Sequence, residues 1–121
     1  MGKGNQLGSE GEALARRHLD QEGYLILENN WHFHHLEVDI IAFKDDHVVF
    51  VEVKTRTTDD FGEPESFVDW KKRRAYVRAA NAYMLEHNRN EEARFDIISI
   101  VINQNGTTLS HLENAFTTAV L

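Results

Sequence analysis

The stretch Leu36-Glu37-Val38-Asp39-Ile40-Ile41-Ala42-Phe43-Lys44-Asp45-Asp46-His47-Val48-Val49-Phe50-Val51-Glu52-Val53-Lys54-Thr55-Arg56 decides the fold. Two apolar, β-branched runs, 36–43 and 48–56, flank a polar turn at 44–47, which is the pattern of a β-hairpin. A turn centred on Asp45-Asp46 sets Phe43 against Val48, Ala42 against Val49, Ile41 against Phe50 and Ile40 against Val51. Continued further, the register opposes Val38 to Val53, Asp39 to Glu52 and Glu37 to Lys54. One face is then wholly apolar, and a slip of one residue would turn it over, so the register is costly to change.

On the other face the polar groups gather at one end. Opposed side chains in an antiparallel pair have Cβ atoms about 4.5–5.5 Å apart, where like charges repel. Asp39 beside Glu52 therefore requires either a protonated carboxyl or a cation between the two. Carboxylate oxygens with room for waters and a phosphate suit Mg²⁺. Lys54, two residues beyond Glu52, reaches the same face and could position a water or face a developing phosphate charge. The plainer alternative is a structural ion-pair cluster in which Lys54 neutralises Glu37 and Asp39 faces solvent.

Working outward, residues 1–7 read as a flexible lead-in. Ser9 offers an N-cap for a helix over 9–22 that Gly23 stops, with Leu7, Leu14, Ala15, His18 and Leu19 inward. A short strand at 24–27 breaks near Asn29-Asn30. After the hairpin comes a loop over 59–64, with the single proline ahead of a helix at 66–86 whose Val77, Ala80 and Met84 face inward. A strand at 95–102, an Asn105-Gly106 type I′ turn and a strand at 107–112 complete the chain. The order α-β-β-β-α-β-β predicts an α/β fold, a mixed sheet flanked by helices, in one domain over 1–121.

The chain has 121 residues, of which 41% are hydrophobic, and its formal net charge is −7. That acidity argues against a histone-like DNA binder, though not against a nuclease with a basic face. With no cysteine, disulfides and thiolate chemistry are excluded, and a reducing cytoplasm is compatible. The N-terminus lacks an apolar signal segment, and no run is long enough to span a bilayer, so a soluble cytoplasmic protein is expected.

Asp39 with Glu52-Val53-Lys54 resembles the D and E-x-K of the PD-(D/E)XK nucleases. More closely, the chain resembles the YraN family of uncharacterised bacterial proteins, which are similar to archaeal Holliday-junction resolvases. The resemblance runs through Gly8, Gly11-Glu12, Ala15, Gly23-Tyr24, Asn30, residues 37–42, residues 49–56, Lys72, Ala79-Ala80 and Phe95-Asp96. It implies a restriction-endonuclease-like sheet and a Mg²⁺ or Mn²⁺ ion held by Asp39, Glu52 and the main-chain carbonyl of Val53. Glu12 would reach that ion directly or through water, and Lys54 would serve the attacking water. The implied reaction is hydrolysis of a DNA phosphodiester, with branched or damaged DNA as candidate substrates. Resolvase-like enzymes commonly act as homodimers, but no dimer interface is legible here. Two departures stand out: Leu36 replaces a usual Gly, and His32-Phe33-His34-His35 replaces an often arginine-rich segment.

Other residues carry two readings each. Ser9-Glu10-Gly11-Glu12 is also a capping box, which would employ Glu12 structurally. His32, His34 and His35 could suggest zinc, but no spacing supplies three or four converging ligands. The run 71–74 with Arg78 is a solvated helix face or a phosphate contact; Lys72, Arg78 and Arg56 are the nucleic-acid-binding candidates. Trp70, Tyr76 and Tyr83 either stack on bases or pack in the core. The leading expectation is a metal-dependent endonuclease. The alternatives are a catalytically inactive nucleic-acid-binding or adaptor module, and a protein-interaction subunit.

Overall fold

A computed structural model describes residues 3–58 and 68–117. The elements are α1 (Lys3–Gln21), β1 (Leu25–Phe33), β2 (Leu36–Lys44), β3 (His47–Arg56), α2 (Trp70–Glu86), β4 (Glu92–Asn103) and β5 (Gly106–Phe116). The strands form one sheet in the order β1-β2-β3-β4-β5. All neighbours are antiparallel except β3 and β4, which run parallel because the connection carrying α2 crosses over between them. This is a mixed sheet flanked by two helices, consistent with a restriction-endonuclease-like fold.

The two helices cover opposite faces, and β3 shows why. Its side chains alternate, so Val48 and Phe50 join Tyr76, Val77, Ala80 and Tyr83 of α2. Val49 and Val51 join Ala15 and Leu19 of α1. Phe50, Tyr76, Tyr83 and Phe95 are among the largest fully buried side chains; each contributes about 1.5–3 kcal/mol by leaving water.

The hairpin turn falls where the apolar pattern puts it: Asp45 and Asp46 take φ of 50° and 63°, and Lys44 pairs with His47. The register is the expected one as far as Ile40 and Val51, the last pair of the β2–β3 ladder. Beyond it the expectation fails. The opposed pairs Val38–Val53, Asp39–Glu52 and Glu37–Lys54 do not continue the ladder, because the Asp39 carboxylate takes the Val53 amide itself (2.7 Å). Alternation also breaks at Asp39: Val38 packs in the α2-side cluster although Ile40 and Ala42 pack against α1.

Several boundaries move. Helix α1 starts at Lys3, so residues 3–7 are helical rather than a flexible lead-in, and Ser9 is a helix-interior residue instead of an N-cap. Its stop is as expected: Gly23 (φ 89°) donates to Asp20 and Tyr24 donates to Leu19, the paired bonds of a Schellman motif. Strand β1 runs through Asn29-Asn30, which a bulge after Ile26 and a left-handed Asn30 (φ 52°) accommodate. Helix α2 begins at Trp70 because Asp69 is extended and caps the Lys72 amide at 2.9 Å. The loop expected at 59–64 and the helix start at Ser66 lie outside the described residues. The last turn comprises Gln104-Asn105 rather than Asn105-Gly106: Asn103 pairs with Gly106, whose φ of 119° supplies the positive-φ position.

Two contacts fix α1 on the sheet. At its middle, Gly11 is buried so closely on β3 that a Cβ would lie 1.7 Å from Thr55 Oγ1. Near its end, a buried polar network joins α1 to β4 and β5. Asp96 accepts from Arg94 Nε (2.9 Å) and Nη2 (2.8 Å), from His111 Nε2 (2.7 Å) and from the Asn114 amide (3.0 Å). With Nε2 of His111 donating, its Nδ1 accepts from His18 Nε2 of α1 at 2.9 Å. Burial alone would push the Asp96 carboxyl up, but the bonds from His111, Arg94 and Asn114 hold it below its usual range.

Gly11→Ala should cost about 1–3 kcal/mol in urea unfolding through overpacking, and Thr55→Ala in the same chain should recover part of that loss. Asp96→Ala should cost about 1–3 kcal/mol, because Arg94, His111 and the Asn114 amide lose their shared acceptor and Arg94 keeps only the exposed Glu113 at 3.4 Å, against about 1 kcal/mol for removing the exposed Asp69 cap.

Candidate metal and phosphate site

Beyond the last pair of the β2–β3 ladder, acids of both strands gather with Glu12 of α1 on one side and Lys72 and Tyr76 of α2 on the other. Asp39 sits there with 8% exposure and Glu52 with 7%, the two buried acids of the hairpin. Burial pushes the Asp39 carboxyl up to about 8; the Glu52 carboxylate adds to this, the Val53 amide opposes it, and Glu12 and Glu37 add smaller upward pushes. The acid crowding read from the hairpin pattern is therefore present, although Asp39 and Glu52 lie beyond the last pair of the ladder rather than within it.

Glu52 is held on two sides by α2. Its Oε1 accepts from the Tyr76 hydroxyl at 2.6 Å and its Oε2 from Lys72 Nζ at 2.5 Å. Burial, followed by the charges of Glu52 and Asp39, pushes the Tyr76 phenol well above its usual range, so it stays a donor. Lys72 thus turns inward, whereas Lys71, Arg74 and Arg78 are exposed on α2. Arg56, at the end of β3, is partly buried. Tyr76 and Tyr83 are core residues, unavailable for base stacking, while Trp70 is 56% exposed.

Glu12 arrives from α1. Carboxylate oxygens of Glu12, Glu37 and Asp39 lie within 4.8 Å of one another, the one such metal-capable grouping among the described residues. Asn30 Nδ2 donates to Glu12 Oε1 at 2.9 Å. The left-handed backbone of Asn30 sits between the pairs Asn29–Ile40 and Trp31–Val38, across from Asp39. Glu12 is thereby engaged at the site rather than in a capping box. No histidine joins the grouping; His32 is exposed and contacts Glu37 at 3.3 Å. Lys54 is exposed and makes no ion pair with Glu37 among the described residues, so the neutralising pair of the plainer reading does not form.

These residues fit a hard divalent cation. The donors are all carboxylate oxygens, they converge, and the buried Asp39 lacks a cationic partner among its described contacts. Glu52 is different: both of its oxygens are already engaged, and Lys72 would have to move for it to act as a ligand. Val53 contributes its amide to Asp39. Sequence reasoning placed Glu37 at the polar end of the hairpin, noted Asn30 in the resemblance and read Tyr76 as a stacking or core residue, but assigned none of the three to the site. The i+4 spacing of Lys72 and Tyr76, one helical turn facing the E-x-K strand, was the one signal that could have found the last.

A carboxyl whose folded-state pKa exceeds its unfolded value binds its proton more tightly when folded. For metal-free Asp39 this stabilisation is fully present below 3.8 and is lost as pH rises through about 8. Asp39→Asn keeps an oxygen for the Val53 amide, so its Tm should fall less than the wild type's across that range. Added Mn²⁺ at the upper end should raise the wild-type Tm and leave that of Asp39→Asn unchanged. Equal pH slopes in the two proteins would refute the assignment.

A family model described as Uncharacterised protein family UPF0102 matches residues 11–100, a span that holds Glu12, Asp39, Glu52, Lys54, Lys72 and Tyr76. A UPF0102 protein of Parabacteroides distasonis is 46% identical over 116 residues, 96% of this chain and 96% of its own. A UPF0102 protein of Flavobacterium johnsoniae is 44% identical over 120 residues, covering 96% of this chain and 98% of its own. One from Caldanaerobacter subterraneus is 41% identical over 114 residues, covering 91% and 93%. The chain belongs to the uncharacterised protein family UPF0102, the YraN family that its sequence resembles.

Proposed function

We propose that this protein is a Mg²⁺- or Mn²⁺-dependent endonuclease that hydrolyses DNA phosphodiesters. The observation that carries the reading is the convergence of Glu12, Glu37 and Asp39 beside a buried Glu52, at the mouth of the splayed β2–β3 segment. In it Asp39 and Glu12 would hold the ion, with Glu52 and the Val53 carbonyl completing its surroundings. A divalent ion held there would supply Lewis acidity at the phosphoryl oxygen. Lys54 would orient the attacking water and face the charge that develops on phosphate. The water oxygen would add to phosphorus and release one proton to solvent, the bond from phosphorus to the sugar oxygen would break, and that oxygen would take one proton from solvent, so that one water is consumed. Tyr76 would keep Glu52 in one orientation.

A second reading has one observation in its favour. Lys72 and Tyr76 already satisfy both Glu52 oxygens, as they would in a binding or adaptor module without turnover. A homodimer acting on a two-fold-symmetric DNA substrate remains a corollary of the first reading only. No helix among the described residues is long and apolar enough to cross a membrane.

Labelled linear, flapped and four-way DNA incubated with Mg²⁺, Mn²⁺ or EDTA distinguishes the readings. Cleavage should require the metal, and Glu52→Gln or Lys54→Ala should each lower it by roughly 100-fold or more. Salt-dependent binding without metal-dependent cutting would select the binding module. Absence of binding at low salt would leave neither.

A further inference from the structure

One concavity lies just beyond the carboxylate site. It is lined by Phe33, His34, His35 and Leu36 of the β1–β2 turn and by Ala75 and Arg78 of α2, with a volume of about 270 Å³. It continues the site on both walls. Leu36 precedes Glu37, a member of the acidic grouping; Ala75 lies beside Tyr76 and three residues from Lys72, the two residues that hold Glu52. Its floor is apolar, its rim carries Arg78 and two imidazoles, and the His34 ring stands edge-on to Phe33 with centroids 4.4 Å apart.

A second observation concerns charge. Lys71, Arg74 and Arg78 are all exposed and recur at three- and four-residue spacing, which puts them along one stripe of α2. In a chain of net charge −7 such a stripe is a local exception, and it ends at the concavity. An apolar slot at the end of a cationic track is the combination used for single-stranded nucleic acid, in which the track follows phosphates and the slot takes a base face. A base still paired and stacked in a duplex presents its edges, not its faces, and cannot enter.

We propose that the pocket between the β1–β2 turn and α2 receives one unpaired nucleobase of a strand whose phosphates follow Lys71, Arg74 and Arg78. The substrate class is then DNA with a single-stranded or unpaired segment next to the phosphate presented to the carboxylates. The proposal rests on the nucleic-acid reading above, but not on turnover.

The test measures fluorescence anisotropy of the full-length protein with a labelled oligodeoxythymidylate. The comparisons are an abasic oligomer and a duplex of the same length, at low salt with EDTA to stop any cleavage, and again with Ca²⁺. The variants are Ala75→Phe, which fills the slot, Arg78→Ala and Trp70→Ala. Wild type should bind the single strand roughly 10-fold more tightly than the abasic oligomer or the duplex. Ala75→Phe should bind all three alike, Arg78→Ala should weaken binding to each, and Trp70→Ala should keep the preference. If Ala75→Phe fails to fold, as circular dichroism would show, the wild-type preference together with the Trp70→Ala result decides. Binding without that preference, or a preference lost in Trp70→Ala, overturns the pocket and leaves the nucleic-acid reading standing. Failure to bind any oligomer overturns both.

Discussion

The hydrogen bond from the Val53 amide to Asp39 Oδ2 is the interaction on which the site depends. A regular hairpin would spend that amide on a partner-strand carbonyl and leave Asp39 and Glu52 face to face. Here the side chain replaces the carbonyl, the ladder ends at Ile40–Val51, and the strands part where the acids sit. The sheet gives up pairs at the end of one ladder, and there Glu12 of α1 approaches Asp39 while Lys72 and Tyr76 of α2 hold Glu52. The repulsion is managed rather than removed: Asp39 remains an unusually weak acid, and Glu52 is held by a cation and a phenol.

Each helix contributes chemistry because its position is fixed by packing elsewhere. Gly11 lets α1 sit directly on Thr55, one residue from Lys54, and this brings the neighbouring Glu12 over the strand ends. The network from His18 through His111 to Asp96 and Arg94 fastens the far end of the same helix. Helix α2 is anchored by Tyr76, Val77, Ala80 and Tyr83 in the core, which leaves Lys72 free to turn toward Glu52 and Lys71, Arg74 and Arg78 to face solvent. The apolar and the polar residues of α2 thus belong to one arrangement, in which Tyr76 serves both.

The hairpin was legible in sequence because its signal is local. Strict alternation across an Asp45-Asp46 turn admits one register that buries both faces, and that register is present through Ile40 and Val51. What lies beyond was not legible. Whether a carboxylate competes for a ladder amide depends on three-dimensional geometry, and period-2 reasoning assumes that alternation never breaks, as it does at Asp39. Asn30 looked like a strand breaker because its type favours turns; a bulge and a left-handed residue instead keep the strand going and aim its amide at Glu12. Ser9 carried a capping signature that the longer helix ignores. The Asp96 network joins residues from positions 18 to 114, and no local pattern announces such a contact.

The parallel pairing of β3 with β4 has a kinetic consequence. The β2–β3 hairpin closes through a two-residue turn, whereas β4 can join β3 only after the whole crossover segment has been brought back. Pairings between residues distant in sequence form late, since loop-closure entropy must be met before contacts compensate for it. A partly folded chain would therefore display the acid-bearing hairpin with the β3 edge still open, before β4 covers it. Glu12, Asn30, Glu37, Asp39, Glu52, Lys72 and Tyr76 all precede β4 in the chain, so the strands that join last carry none of the gathered side chains.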